Sequence, residues 1–285
     1  DHLDYHTDES SYLAAKATLV ENLTHNSTAV LNMDSKHCRL LAERTSANIL
    51  WYSIDKKTDI TGKIQSMTPE GTVFSVLYKG KEQIIRTPLT GRYNVSNHLA
   101  AFGLCASAGF DPETVASGLS LLKYVPGRLE QVNCGQNFSL FVDYAHTDDA
   151  LANVLKTIRP LCHGKLITVF GCGGQRDKTK RPRMADVSQK YSDITIVTND
   201  NPRLEEPQKI IEDIMAGFRK NYRQNVIIEP DRKKAIKTAI EQAAENDAVL
   251  IAGKGHEDYQ LIGTKKIHFD DNETALKYMK KRNEN

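Results

Sequence analysis

The chain has 285 residues, with 38 Lys and Arg against 36 Asp and Glu and a formal net charge of +2. So small a net charge gives no global field to draw in nucleic acid or an anionic bilayer. The longest apolar runs, such as Ala248 to Ala252, fall far short of the roughly 20 residues a membrane-spanning helix needs, so no membrane insertion is expected.

Five scattered cysteines, at 38, 105, 134, 162 and 172, contain no Cys-x-x-Cys pair and suit a reducing, cytoplasmic setting better than a disulfide framework. The length suits two domains. The first residue is Asp1, not Met, and nothing before Leu31 resembles a signal sequence, which reads as a fragment of a longer chain.

In chain order, helical spacing of Tyr12, Ala15, Leu19 and Leu23 predicts an amphipathic helix over residues 9 to 23, with Ser10 and Ser11 as caps and Lys16 on or beside the stripe. A strand at 28 to 32, a helix at 37 to 44 and a strand at 48 to 53 follow. Alternating runs at 61 to 67, 72 to 78 and 82 to 87, separated by Pro-Glu-Gly and Lys-Gly-Lys, predict an antiparallel meander. Residues 91 to 108 return to helix, and Asp111 caps the next one with Pro112 in its first turn.

Val125-Pro126-Gly127 breaks the pattern and marks the expected domain boundary. Beyond it, strands at 139 to 143, 165 to 170, 193 to 198, 225 to 229, 248 to 252 and 266 to 269 alternate with helices at 148 to 159, 182 to 191, 206 to 220, 232 to 244 and 273 to 280. Such alternation predicts a mostly parallel, doubly wound sheet. In open sheets of this kind, ligands bind beyond the carboxyl ends of the strands.

Several chemically loaded turns fall at those strand ends. Gly171-Cys172-Gly173-Gly174 fails as a dinucleotide fingerprint, because the third glycine position is Arg176, which argues against a nicotinamide-dependent oxidoreductase. It is either a plain tight turn or, with Arg176, Asp177, Lys178 and Arg181, an anion site. Asp200-Asn201-Pro202-Arg203 is either turn chemistry or an acid, an amide and an arginine fork suited to an amino acid's ammonium and carboxylate. Gly253-Lys254-Gly255-His256-Glu257 lacks the ending of a phosphate loop; it is either a glycine turn with a solvated lysine or, at a strand's carboxyl end on the same edge as the other two turns, part of one site shared with them, the reading its position favours. Asp143 suits ribose hydroxyls and His146 a phosphate oxygen, although such a histidine is also an ordinary polar group. His2, Asp4 and His6 are either metal ligands or incidental, and Lys16 on its own is a snorkelling helix lysine.

Taken together, these stretches resemble the Mur ligases, ATP-dependent amino-acid-adding enzymes of bacterial cell-wall synthesis, over essentially the whole chain. The carrying stretches are Asp1 to His6, Tyr12 to Lys16, Gly91 to Asn97, Val125 to Glu130, Asp143 to His146, Gly171 to Pro182, Asp200 to Arg203 and Gly253 to Glu257. The resemblance is closest to the type that adds meso-2,6-diaminopimelate to a UDP-N-acetylmuramoyl dipeptide through an acyl phosphate. An L-lysine-adding enzyme is the near alternative, disfavoured because Arg203 suits a second carboxylate that lysine lacks. A non-catalytic amino-acid-binding module is the alternative outside that chemistry.

The resemblance implies an α/β fold, with a partial central ATPase domain over 1 to 126 and a doubly wound, Rossmann-like amino-acid-binding domain over 127 to 285. It assigns His2 and a carbamylated Lys16 to Mg²⁺, because carbamylation turns an ammonium into an oxygen ligand. Asn94 and Asn97 go to adenine, Arg128 and Asp143 to the nucleotide, and His146 to the phosphates, with Lys16 and His146 as the catalytic pair. Arg176, Asp200, Asn201, Arg203, Gly253 and Glu257 grip diaminopimelate, Arg203 at its distal carboxylate and Glu257 at its distal ammonium. It further implies a monomer. Complete members carry an upstream UDP-sugar-binding domain and phosphate loop that this stretch lacks, so the 285-residue chain is expected not to turn over alone, and its first half to be poorly ordered.

Overall fold

The structure, a computed structural model, describes residues 8 to 283. The chain divides into two compact units, Asp1–Lys123 and Tyr124–Asn285, described here one at a time.

The first unit opens with α1 (Glu9–Glu21), β1 (Thr28–Asn32), α2 (Lys36–Ala42) and β2 (Asn48–Ser53). Then come β3 (Ile60–Thr68), β4 (Gly71–Tyr78) and β5 (Lys81–Thr87), followed by α3 (Arg92–Ser107) and α4 (Pro112–Ser120). The strands form one sheet in the order β1-β2-β3-β4-β5, parallel through β3 and antiparallel after it. The meander thus continues the strand-helix-strand sheet. Ile60, Phe74, Val76 and Ile85 face Val95, Leu99 and Phe102 of α3. Val20 of α1 packs with Ala29 and Leu31 in a second cluster.

The α1 expectation needs two corrections. Its cap is Asp8, whose carboxylate accepts from Ser11 N while Ser11 Oγ accepts from Asp8 N, a reciprocal capping box. Its buried face is Ala17 and Val20; Ala15 is exposed and Leu19 is 75% exposed. Val20 joins Ala29, Leu31 and Ala47 in the cluster, with Leu23 of the expected stripe only partly buried against it.

The second unit contains β6 (Glu130–Gln131), β7 (Ser139–Asp143), α5 (Asp148–Ile158), β8 (Leu166–Phe170), α6 (Lys180–Tyr191) and β9 (Ile194–Val197). It continues with α7 (Pro207–Met215), β10 (Val226–Ile228), α8 (Arg232–Gln242), β11 (Ala248–Ala252), β12 (Tyr259–Ile262), β13 (Lys265–His268) and α9 (Asp271–Asn283). Its main sheet has the order β10-β9-β8-β11-β7-β6, parallel except for the short edge strand β6. The chain runs outward from β8 through β10, and α8 then returns it to insert β11 between β8 and β7. That reversal is the topological switch at which open sheets place their ligands.

Strands β8 and β11 are buried along their whole length, as a sheet covered on both faces requires. Ile167, Val169, Val249 and Ile251 pack with Ala235, Ile236 and Ile240 of α8 and Ala275 and Met279 of α9. Sequence reading missed β6 and β12, and it ran α7 on to Lys220. The helix ends at Met215; just beyond it, Gly217 lies so close to Pro182 that a Cβ there would sit 2.1 Å from the Pro182 carbonyl oxygen. No helix among the described residues is long and apolar enough to cross a membrane.

Candidate functional site

Four turns leave the carboxyl ends of β7, β8, β9 and β11, and three of them lock together. Gly174 N donates to Asn201 O at 2.9 Å. A Cβ on Gly171 would lie 2.3 Å from Thr198 O, and one on Gly174 2.0 Å from Pro202 O. None of the glycines at 171, 173 and 174 has a positive φ. Gly171 and Gly174 are needed because a neighbouring backbone fills the space a side chain would take, and at Gly173 the Arg203 guanidinium does so, a reason the sequence reading had not weighed.

Arg203 has φ +53, a left-handed conformation that a bulky residue adopts only when its surroundings hold it there. Here the β12–β13 hairpin does so: Arg203 N donates to Leu261 O at 3.0 Å and Gly263 N donates to Arg203 O at 2.8 Å. The guanidinium Nη1 donates to Gly174 O at 2.9 Å, tying the β9 turn to the glycine turn. Gln260 Nε2 donates to Asp200 O at 2.7 Å, fixing the same turn from the hairpin side.

Asn201, 2% exposed, is the joint of the group. Its Oδ1 accepts from Leu261 N at 2.9 Å and from Lys254 Nζ at 3.4 Å, and its Nδ2 donates to Glu257 Oε2 at 2.9 Å. Lys254 Nζ also donates to Glu257 Oε2, at 2.9 Å. The Lys254 side chain is fully buried, which rules out the solvated-lysine alternative: the carboxylate of Glu257 and the face of the Tyr259 ring, 5.3 Å away, replace water around the ammonium. Glu257 Oε1 takes no hydrogen bond among the described residues. Gly253, at φ +121, lies where a Cβ would be 2.9 Å from Asp200 Oδ2. Asp200, Asn201, Arg203, Gly253 and Glu257 therefore do come together, with the stem of Arg176 beside Gly173 and Arg203.

Arg181 does not join them. Its buried guanidinium donates to both oxygens of Glu205, at 2.7 and 2.9 Å, and to Asp213 at 2.8 Å, and Lys178 pairs with Glu205 at 3.2 Å. The hydrogen bonds from Arg181 hold the Glu205 carboxyl at a pKa of about 2. Through Nη1 and Nη2 Arg181 pairs with Glu205 and Asp213 and reaches Gly173 O at 3.3 Å, so it serves as a scaffold cation behind the glycine turn and not as the anion ligand its place in the motif suggested.

At the end of β7, Asp143 is 3% exposed; Oδ2 accepts from Leu129 N at 2.6 Å and Oδ1 from Ala145 N at 2.8 Å. Burial raises its pKa to about 6. The Arg128 guanidinium lies 5.5 Å from the Tyr144 ring, which meets His146 at 4.7 Å and His256 at 5.1 Å. His146 Nδ1 is 2.8 Å from Tyr144 O. The turn at 253 to 257 thus faces both groups, His256 towards Tyr144 and Glu257 towards Asn201.

Sequence reading missed two buried cations. Arg232 donates through Nε and Nη2 to Asp271 at 2.8 and 2.7 Å and through Nη2 to Ala252 O at 3.0 Å, pinning the strand end that launches the Gly253 turn. A signal existed, since Arg232 starts the apolar stripe of Ala235, Ile236, Ala239 and Ile240. Lys254 gave none beyond its flanking glycines.

In the first unit, Asn94 and Asn97 both lie on α3. Asn94 is buried and donates from Nδ2 to Thr90 O at 2.9 Å, whereas Asn97 is exposed. Lys16 is exposed on α1, with its ammonium 5.5 Å from the Tyr12 ring. His2, Asp4 and His6 lie outside the described residues. No group of three or more His, Cys, Asp or Glu placed to hold a metal occurs among the described residues. An ammonium donates and does not ligate, so the described residues do not by themselves make a magnesium site.

Two family models match the chain: the Mur ligase middle domain over residues 1 to 105 and the Mur ligase glutamate ligase domain over residues 127 to 255. The chain belongs to the Mur ligase family. It is 44% identical over 279 residues to a UDP-N-acetylmuramoyl-L-alanyl-D-glutamate--2,6-diaminopimelate ligase from Trichormus variabilis, covering 96% of this chain and 56% of that protein. It is also 44% identical over 288 residues to the like-named ligase of Geobacillus kaustophilus, covering 99% of this chain and 59% of that protein. A solved ligase of the same name superposes with a TM-score of 0.64 at 34% identity, covering 99% of this chain and 58% of the other. The chain spans a little over half the length of the curated relatives it matches. Within this Mur ligase chain the second match ends at Gly255, so Glu257 and the β12–β13 hairpin, which complete the site, lie just beyond it.

Proposed function

We propose that the chain is the nucleotide- and amino-acid-binding part of a ligase that adds meso-2,6-diaminopimelate to UDP-N-acetylmuramoyl-L-alanyl-D-glutamate at the expense of ATP. The observation that carries this is Glu257 Oε1, a carboxylate oxygen without a hydrogen bond among the described residues, in one hydrogen-bonded group with Arg203. A carboxylate beside an arginine fork suits the ammonium and carboxylate of an amino-acid head. Meso-diaminopimelate carries such a head at its distal end, whereas L-lysine ends there in an ammonium alone. The names of the relatives favour the same amino acid.

In the proposed reaction ATP phosphorylates the D-glutamyl carboxylate to an acyl phosphate. The diaminopimelate amine attacks the acyl carbon, inorganic phosphate leaves with the bonding pair, and the amine's proton passes to solvent. Arg203 and Glu257 hold the distal head so that the proximal amine is presented in one orientation. Arg176, Asp200, Asn201 and Gly253 shape the same pocket. Within the second unit, Arg128 and Asp143 would hold the nucleotide and His146 its phosphates. Mg²⁺ on His2 and a carbamylated Lys16 enters on the resemblance alone.

Calorimetric titration of the chain with meso-diaminopimelate and with L-lysine tests the proposal, repeated with Arg203→Ala. Binding of diaminopimelate that is lost in the variant is expected. Equal binding of L-lysine, or an Arg203→Ala chain that binds as before, would overturn it.

A further inference from the structure

The ammonium of Lys254 has no exposure, yet it sits on a five-residue turn between two glycines where a neutral side chain would avoid the desolvation cost. Its contacts explain its presence. It occupies Oε2 of Glu257 at 2.9 Å together with Asn201 Nδ2, and it reaches Asn201 Oδ1 at 3.4 Å. One oxygen of the carboxylate takes two hydrogen bonds from inside the fold, and the other takes none among the described residues and can meet a ligand. The Asn201 amide, held at the same time by Leu261 N, fixes which oxygen is which.

We propose that Lys254 is a specificity-determining positioning residue: its buried charge sets the electrostatic balance at the Glu257 end of the pocket, so that a zwitterionic amino-acid head is preferred there to a lone ammonium. This rests on the amino-acid reading above and goes beyond it by naming what discriminates between two candidate amino acids. The argument is a difference in charge. With Lys254 in place, one positive charge already lies on the Glu257 carboxylate, and a ligand that brings a further ammonium does best when it also brings a carboxylate to Arg203. Without Lys254 the pocket becomes one unit more negative, whatever other groups are counted. A ligand end that is itself one unit more positive then gains relative to the zwitterion. Meso-diaminopimelate and L-lysine differ at that end by that one carboxylate. Removing Lys254 also leaves the Glu257 carboxylate with the Asn201 amide as its remaining hydrogen bond among the described residues, which weakens both ligands; the ratio of their affinities isolates the charge effect.

The test is calorimetric titration of the 285-residue chain with meso-diaminopimelate and L-lysine, in the unmodified protein and in Lys254→Met, Lys254→Arg and Glu257→Gln. Methionine keeps the length of the stem and removes the charge. Lys254→Met is expected to move the ratio of dissociation constants by about tenfold towards L-lysine, and Lys254→Arg to keep the original preference. Glu257→Gln, which leaves Lys254 uncompensated, is expected to move the ratio the other way. A folded Lys254→Met chain in which both affinities fall in proportion, or neither changes, would overturn the proposal. Should Lys254→Met not fold, a Glu257→Gln chain that moves towards L-lysine overturns it equally. An unmodified chain that binds neither amino acid overturns the reading of the site itself, a failure distinguishable because it appears before any substitution.

Discussion

Among the described residues, the buried polar side chains of the first unit are Ser53, Thr72, Ser75, Thr87, Thr90, Asn94 and His98, and burial lowers the pKa of His98 so that it is neutral at physiological pH. The second unit buries Asp143, Lys180, Arg181, Asp200, Arg232, Asp247, Lys254 and Asp271. Both units lay a sheet against helices, but only the second takes formal charges out of water, and several of these stand at the carboxyl ends of its parallel strands. Buried charges are costly and persist where each is paired and hydrogen-bonded. Their concentration at one edge shows that the second unit spends stability on a preorganised polar group, whereas the first keeps Asn97 and Lys16 on its surface.

The largest effect that would sharpen this contrast is expected from Asp271→Ala. It leaves Arg232 buried without its carboxylate and should cost the second unit about 3–5 kcal/mol, read as lost hydrogen-exchange protection in β8 and β11 with the first unit unchanged.

Acid comes next. The pKa of Glu205 is lowered from 4.5 to about 2 by Arg181, so the stability it lends is fully present above pH 4.5 and is lost as the pH falls towards 2. The loss should be on the order of 3 kcal/mol, confined to the second unit and absent from Arg181→Met.

His98 works in the other unit and with a smaller amplitude. Its Nε2 is buried without a partner and its pKa is lowered by burial, so the unfolded chain takes up a proton first as the pH drops below 6.5. His98→Leu, which keeps an apolar body against Phe74, should stabilise the first unit by about 1 kcal/mol and remove its loss of stability just below pH 6.5, both measurable by urea denaturation across pH. Lys16→Ala, on an exposed surface, should change stability by less than about 0.5 kcal/mol. A larger loss would mean that the first unit also depends on its charges.

The same contrast explains what could be read from the sequence. Alternating β-branched runs and helical stripes placed most elements within a few residues, because burial on both faces of β8 and β11 leaves an unmistakable apolar signature. The turns at 171, 200 and 253 were legible as one edge because each follows such a run. Their partners were not. Arg181 and Arg203 both follow glycine- or proline-punctuated stretches of the sequence, and only the positions of Glu205 and Asp213 show that Arg181, at the start of α6, is taken up by ion pairs inside the fold. The strand β12 escaped notice because its four residues bury only Gln260, whereas β13 was expected at 266 to 269; the hairpin they form holds Arg203 in place. The true face of α1 was hidden for a related reason: Ala17 and Val20 carry less apolar surface than the Leu19 stripe they displace.

The most direct test of the central claim, that amino-acid binding is preorganised in the second unit, is an amide chemical-shift map of the isotopically labelled chain titrated with meso-diaminopimelate. The account predicts shifts concentrated at Gly173, Gly174, Asn201, Arg203, the turn from Gly253 to Glu257, and Leu261, with α1 and α3 silent. Shifts centred on α3, or none in the second unit at saturating ligand, would contradict it.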